Sequence, residues 1–260
     1  MSISQSDKYK ICSAHQPAFL PWLGTIHKVA ISDVFVIMDI AKFRKRAFMH
    51  RNRIEINGEL NFIGLKVNKG ADYTICDEVT ISQHAESCLE EISNKLENTY
   101  KKYKYYSELR DLVKDCIVET KCTDLNTLYY IQLKYICDKL DIKTIIINES
   151  DILSKEESIK LDASERLLEH AIRTKSNIYI TGENSKDYLD ASVFENKNIV
   201  HKVQEFNYSS LLSYQNTSTP LTVFHQIACI GFGGLKKELE SNQVTGQEIK
   251  AEISANINQL

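Results

Sequence analysis

The sequence predicts an α/β protein built on a mostly parallel, Rossmann-like sheet, with an inserted β-hairpin and a helical segment. Three observations carry this expectation. Short unbroken apolar runs such as Val34–Met38 and Thr144–Ile147 suit strands covered on both faces. They alternate with stretches of helical periodicity, the pattern of strand–helix–strand crossovers. A separate pair of β-type runs flanks Asn57-Gly58, the strongest short-range hairpin signal.

Ile11–Ala14 reads as a brief first strand. His15-Gln16-Pro17-Ala18-Phe19-Leu20-Pro21 follows as a turn holding two of the chain's three prolines. Pro21 suits the first turn of a helix over Trp22–Ala30, where its missing N–H costs nothing. Val34–Met38 then closes a βαβ unit and ends at Asp39. The hairpin runs are Arg53–Ile56 and Leu60–Ile63. Residues 84–140 contain neither glycine nor proline, and Cys88, Leu89, Ile92 and Leu96 keep helical spacing, as do Leu128, Ile131 and Leu140 later. This stretch, with a junction at Thr99–Tyr106, reads as a helical insertion within one α/β domain spanning residues 1–260. Thr144–Ile147 is a further buried-type strand, Ser164–Ile172 a helix and Asn177–Ile180 a fourth strand. Val200–Gln204 suits an edge strand. Leu221–Ile230 is read as a helix that Gly231-Phe232-Gly233-Gly234 terminates, and the tail after Asn242 as a polar helix or disorder.

Composition narrows the function classes. The chain has 260 residues, 26% of them charged, with a formal net charge of −3, so it lacks the basic excess of a nucleic-acid binder and no DNA partner is expected. Met1–Lys10 is polar, and no apolar run approaches the ~18 residues of a membrane span. The seven cysteines are odd in number and form no C-x-x-C pair, which argues for reduced thiols rather than disulfides or a metal centre. A cytoplasmic protein with no membrane span is expected.

In a parallel α/β sheet, ligands bind beyond the carboxyl ends of the strands. Three loops fall there: His15–Pro21, Asp39–Asn52 and Thr181–Asp187. His15 offers a donor and an acceptor with a pKa near working pH, and either deprotonates an amine, binds a phosphate or satisfies the backbone of its own turn. Trp22, the sole tryptophan, either stacks on a ligand ring or packs into the core. The cation-dense run Lys42 to Arg53 is either a phosphate clamp or a solvated loop. Asp39 either holds a metal or an amine or merely closes its strand. Gly182 permits close backbone approach, and the loop it opens, through Asp187, either binds ligand or caps a helix. Glu165 and Arg166 fit an exposed intrahelical charge pattern. No Ser-His-Asp set, nucleophile elbow or P-loop is present.

The motif His15-Gln16-Pro17-x-x-Leu20-Pro21-Trp22-x-Gly24, followed by Lys28, Ser32-Asp33-x-Phe35-Val36, Asp39 and Arg51-Asn52-Arg53, resembles the WbqC-like family. Ser164-Glu165-Arg166-Leu167 and Tyr179-Ile180-x-Gly182, running on to Asp187-Tyr188-Leu189, are similar to its second half. The sequence departs from the family's frequent residues at Lys42, Glu183 and His225. The resemblance implies a role in bacterial O-antigen and surface-polysaccharide synthesis, attaching an acyl group such as glycine to the amine of a sugar. On that reading His15, Gln16 and Asp39 are catalytic, with Gln16 or Asn52 as donor to the oxyanion. Trp22, Lys28, Arg51, Asn52, Arg53, Gly182 and Asp187 bind substrate, Arg51 and Arg53 together with Lys28 holding its phosphates. The partners implied are a nucleotide-linked amino sugar and an activated amino acid donor: charged tRNA, thioester or adenylate. No cofactor or metal is assigned. A fold-level analogy to HIGH-type nucleotidyltransferases gives the alternative of an ATP-dependent reaction at His15. A non-catalytic partner in a polysaccharide assembly complex, docking through the helices of residues 99–140, is the third possibility.

Overall fold

The computed structural model describes residues 9–68, 70–71, 74–81, 85–241 and 243–257. Five strands form one parallel sheet: β1 (Ile11–His15), β2 (Val34–Ile37), β5 (Ile145–Asn148), β6 (Ile178–Thr181) and β7 (Val200–Val203), in the order β5-β2-β1-β6-β7. The chain builds outward from β1 to β2 and β5 on one side, then crosses to β6 and β7 on the other. The direction of winding therefore reverses between β1 and β6, where Ile11–Ser13 pair with Ile178–Ile180. That is the topological switch point of a doubly wound sheet.

Strand alternation sorts the side chains onto two faces, which feed three apolar clusters. Cys12, Val36 and Tyr179 face α6 (Ala163–Arg173) and α7 (Ser192–Glu195) and pack with Leu167, Leu168, Ala171 and Phe194. On the opposite face, Ile11, Ile178 and Ile180 pack with Ile249 and Ile253 of α9 (Gly246–Ile257). Phe35 and Ile37 on that side join the largest core, with Leu23, Ile26 and Val29 of α1 (Leu23–Ala30). The tail read as polar helix or disorder is thus a helix with a buried seam.

The hairpin is β3 (Arg51–Ile56) with β4 (Glu59–Gly64), and its turn residues Asn57 and Gly58 have φ of 53° and 81°, as a type I′ turn demands. Helices α2 (Ala85–Tyr100), α3 (Tyr106–Val113) and α4 (Leu125–Leu140) follow, with α5 (Lys155–Lys160) later in the chain; residue 84, the expected start of the helical stretch, lies outside the described residues. α2, α3 and α4 pack through Leu89, Leu109, Leu128 and Leu133 into the same core as Ile54 of the hairpin and Phe224, Ile227 and Leu235 of α8 (Val223–Ser241).

Two expectations are corrected. β5 is an edge strand with Ile145 59% exposed, although its β-branched run reads as buried. The glycine-rich stretch does not end α8: Gly231 takes φ 69° and kinks it, and the helix resumes because the Glu108 carboxylate accepts the Phe232 N–H at 2.7 Å. A carboxylate 124 residues away supplies the cap that a helix restart needs. No described helix is long and apolar enough to cross a membrane.

Candidate functional site at the sheet's topological switch

Because β1, β2 and β6 are parallel neighbours, the loops after them leave from one edge of the sheet. The first of these, residues 15–22, is held from four directions. Phe19 N–H donates to the Met49 carbonyl at 2.8 Å, Val223 N–H to the Pro21 carbonyl at 2.8 Å, and Leu20 N–H to Gln132 Oε1 at 3.0 Å. Asn52 Nδ2 donates to the Leu20 carbonyl at 2.5 Å. These bonds fix Leu20 at φ 52°, an uncommon conformation for a branched residue that costs about 1–3 kcal/mol and persists only where its surroundings over-determine it.

His15 continues the Ile11, Ser13 side of β1 and so faces α1. Its Nδ1 lies 2.6 Å from the Gln16 carbonyl, and a carbonyl only accepts, so Nδ1 carries the proton and Nε2 presents a lone pair. Burial, reinforced by the nearby Lys28 charge, pushes the imidazole pKa down to about 4. His15 is therefore a neutral base at neutral pH. Lys28 is 6% exposed, and burial pushes its ammonium down to about 8. It makes no ion pair or side-chain hydrogen bond among the described residues. Gly182 closes the group from β6: a Cβ there would sit 3.2 Å from Lys28 Nζ. An uncompensated, largely buried cation costs free energy, and an anion delivered by a ligand would offset that cost.

The loop bearing Gly182 is fixed from beneath. Ser185 Oγ donates to the Gly182 carbonyl and lies 2.7 Å from Thr181 Oγ1, which is 2.9 Å from His201 Nε2. The start of α1 is tied to the end of β7 by Gln204, whose Nε2 donates to the Gly24 carbonyl at 2.7 Å and to His27 Nδ1 at 2.9 Å. His27 in turn donates from Nε2 to the Val244 carbonyl at 2.8 Å. Trp22 folds back over its own helix: a Cβ on Gly24 would come within 2.3 Å of the indole. Phe206 meets the indole edge-on at 5.5 Å. The tryptophan remains half-buried against Gly24 of α1.

The other sequence candidates fall in different places. Gln16 is half-buried beside His15 and its side chain makes no hydrogen bond among the described residues. Asp39 is fully buried, with both carboxylate oxygens accepting from Ser150, from its N–H at 3.0 Å and from its hydroxyl; it ties the end of β2 to the end of β5. Asn52 faces the turn, but its amide N–H is committed to Leu20. Arg51 and Arg53 project from the opposite face of β3, Arg51 over the Phe62 ring at 4.7 Å and Arg53 over Phe48 at 4.6 Å. Asp187 is exposed at the end of the Gly182 loop. The structure thus brings together His15, Lys28 and Gly182; Gln16 adjoins His15 in the chain, Trp22 packs on Gly24 and Phe206, and Asp39 and the arginines lie outside that group.

A buried network went unread in the sequence. Arg166 does not belong to an exposed helix pattern: it forms a bidentate pair with Glu149, which is 0% exposed, and His170 Nε2 lies 2.8 Å from the same carboxylate. His170 Nδ1 reaches Tyr179 OH at 3.1 Å. Burial raises the Glu149 carboxyl, but the bonds from Arg166 and His170 outweigh it, and its pKa lies below the ordinary value. These partners are 17 and 21 residues apart, so no helical or strand period signals them.

The WbqC-like protein family matches residues 16–222. Uncharacterized protein Rv1507c of Mycobacterium tuberculosis is 26% identical over 201 residues, covering 77% of this chain and 83% of that one. No solved structure matches.

Proposed function

The chain belongs to the WbqC-like protein family, and from that premise we propose that it is a transferase of bacterial surface-polysaccharide synthesis that forms an amide on a nucleotide-linked amino sugar. The observation that carries the reading is the pairing of a neutral imidazole with a buried, uncompensated ammonium at the switch point. Amide formation on a sugar nucleotide needs both: a base for the amine and a fixed cation for the phosphates.

In this reading the sugar's diphosphate lies against Lys28 Nζ and passes over Gly182, whose missing Cβ leaves room. The sugar amine stands at His15 Nε2. The nitrogen attacks the acyl carbon of an activated donor, a C–N bond forms, and His15 takes the proton that the nitrogen sheds. The bond from the acyl carbon to its leaving group then breaks, the leaving group keeping the electron pair, and the imidazolium returns the proton to it. Gln16, whose amide is uncommitted, supplies the donor to the oxyanion formed in between. Trp22 flanks the sugar. Asp39 acts at one remove, holding the β2 and β5 ends together.

The test combines binding with turnover. UDP- or dTDP-amino sugars are expected to raise the melting temperature of the wild type and of His15→Ala alike, while His15→Ala loses turnover by about 10²–10⁴-fold, the usual worth of a general base. Retained turnover in that variant ends the role of His15. Stabilisation by ATP–Mg and not by the sugar nucleotides would instead favour the nucleotidyl-transfer alternative at the same site.

A further inference from the structure

Apart from the switch-point site, the outward face of the β3–β4 hairpin carries a second, unassigned feature. Residues 42–53 hold six cations, Lys42, Arg44, Lys45, Arg46, Arg51 and Arg53, and no acidic residue, in a chain of net charge −3. Lys42, Arg44, Arg46, Arg51 and Arg53 make no ion pair among the described residues. The side chains interleave with aromatic rings. Arg51 lies over Phe62 at 4.7 Å, Arg53 lies 5.9 Å from Phe62 and 4.6 Å from Phe48, and the two rings stack at 6.3 Å. The order along the face is Arg51, Phe62, Arg53, Phe48.

Three facts say the ladder is not a finished internal structure. Phe48 and Phe62 remain 41% and 47% exposed, with Leu60 beside them at 42%. The Nε donors of Arg51 and Arg53 are buried with no hydrogen-bond partner. Arg51 spends one donor, Nη2, on the Arg46 carbonyl at 3.0 Å, and the Arg53 guanidinium spends none on the described residues. Large exposed rings and buried, unpartnered Nε donors both cost free energy, and exposed apolar area of this kind is typical of a surface awaiting a partner.

We propose that this face binds a single-stranded polynucleotide. The cations match its phosphates, and rings and guanidinium planes set at stacking distance match its bases, the combination by which single strands are held without sequence preference. A two-stranded hairpin offers a flat platform rather than the concave pocket that a small ligand needs. The exposed Arg44 and Arg46 extend the positive track from the preceding loop. Whole-chain composition hides the feature because acidic residues elsewhere cancel it. The binding is independent of the chemistry at His15.

The experiment is fluorescence anisotropy of a short fluorescein-labelled single-stranded RNA titrated with the full chain, from about 50 to about 200 mM salt. Binding is expected to weaken with log salt at a slope of about −0.7 per phosphate contacted. Phe62→Ala and Phe48→Ala are each expected to weaken it about tenfold, in the range of one lost base stack, with Phe62→Tyr restoring it; Arg44→Gln with Arg46→Gln should flatten the salt slope. Circular dichroism confirms that each variant stays folded, and because Phe48 and Phe62 are exposed either one suffices. No binding at the lowest salt overturns the proposal. So does binding that the arginine variants reduce but neither phenylalanine variant moves, which marks unspecific charge attraction. Binding to phosphatidylserine vesicles without binding to the strand assigns the face to a lipid surface and equally overturns it.

Discussion

Lys28 brings a positive charge into a place where no carboxylate of the described residues meets it, and His15 beside it is kept neutral by burial and by that charge. Their protonation sets the expected pH dependence. His15 acts as a base only above about 4, and Lys28 holds an anion only below about 8. The pH profile of kcat/KM is therefore expected to rise near the first value and fall near the second. Lys28→Met should remove the alkaline limb and raise KM for the sugar nucleotide at least about tenfold, with a smaller effect on kcat. An unchanged alkaline limb would mean that Lys28 does not meet the phosphates. His15 is legible in the sequence because two prolines frame its turn directly after a strand. The burial of Lys28 is not, because a lysine on an eight-residue amphipathic helix ordinarily extends to solvent.

At the scale of elements, the turn that carries His15 depends on segments inserted far from it. Asn52 of β3 and Gln132 of α4 hold the carbonyl and the N–H of Leu20 in a strained conformation. Asn52→Leu leaves the buried Leu20 carbonyl unpaired and is expected to cost about 1–3 kcal/mol in denaturant unfolding. It should also lower kcat, since the turn relaxes toward negative φ; a variant as stable and active as the wild type would show that the clamp does nothing. The individual strands and the hairpin were readable, because apolar runs and Asn-Gly act locally. The sheet order, the edge position of β5 and the restart of α8 at Phe232 were not, because each is set by a contact with a remote segment. Glu108 capping α8 is the plainest case.

Across the whole molecule, several titrating groups are displaced in the direction that makes acid destabilising. Burial lowers the pKa of His15, His27, His201 and His225 below the unfolded value of 6.5. Between that value and the lower folded ones, the unfolded chain binds protons that the folded chain refuses, so stability falls as pH drops through the window. The Glu149 carboxyl, also lowered, adds its loss as pH falls below its ordinary 4.5. The melting temperature is expected to decline steadily from pH 7 to pH 4 in scanning calorimetry; a flat or rising profile would contradict the buried, neutral histidines. At the same scale, the net charge of −3 averages over a chain that places six of its 32 lysines and arginines, and no acid, within residues 42–53.

The most direct measurement of the central claim is a crystal structure of the protein with a UDP- or dTDP-amino sugar bound. The expected result places the diphosphate within about 3 Å of Lys28 Nζ, crossing Gly182, with the sugar amine at His15 Nε2. A nucleotide seated away from Lys28, for instance on Arg51 and Arg53, with the imidazole facing no ligand atom, would contradict it.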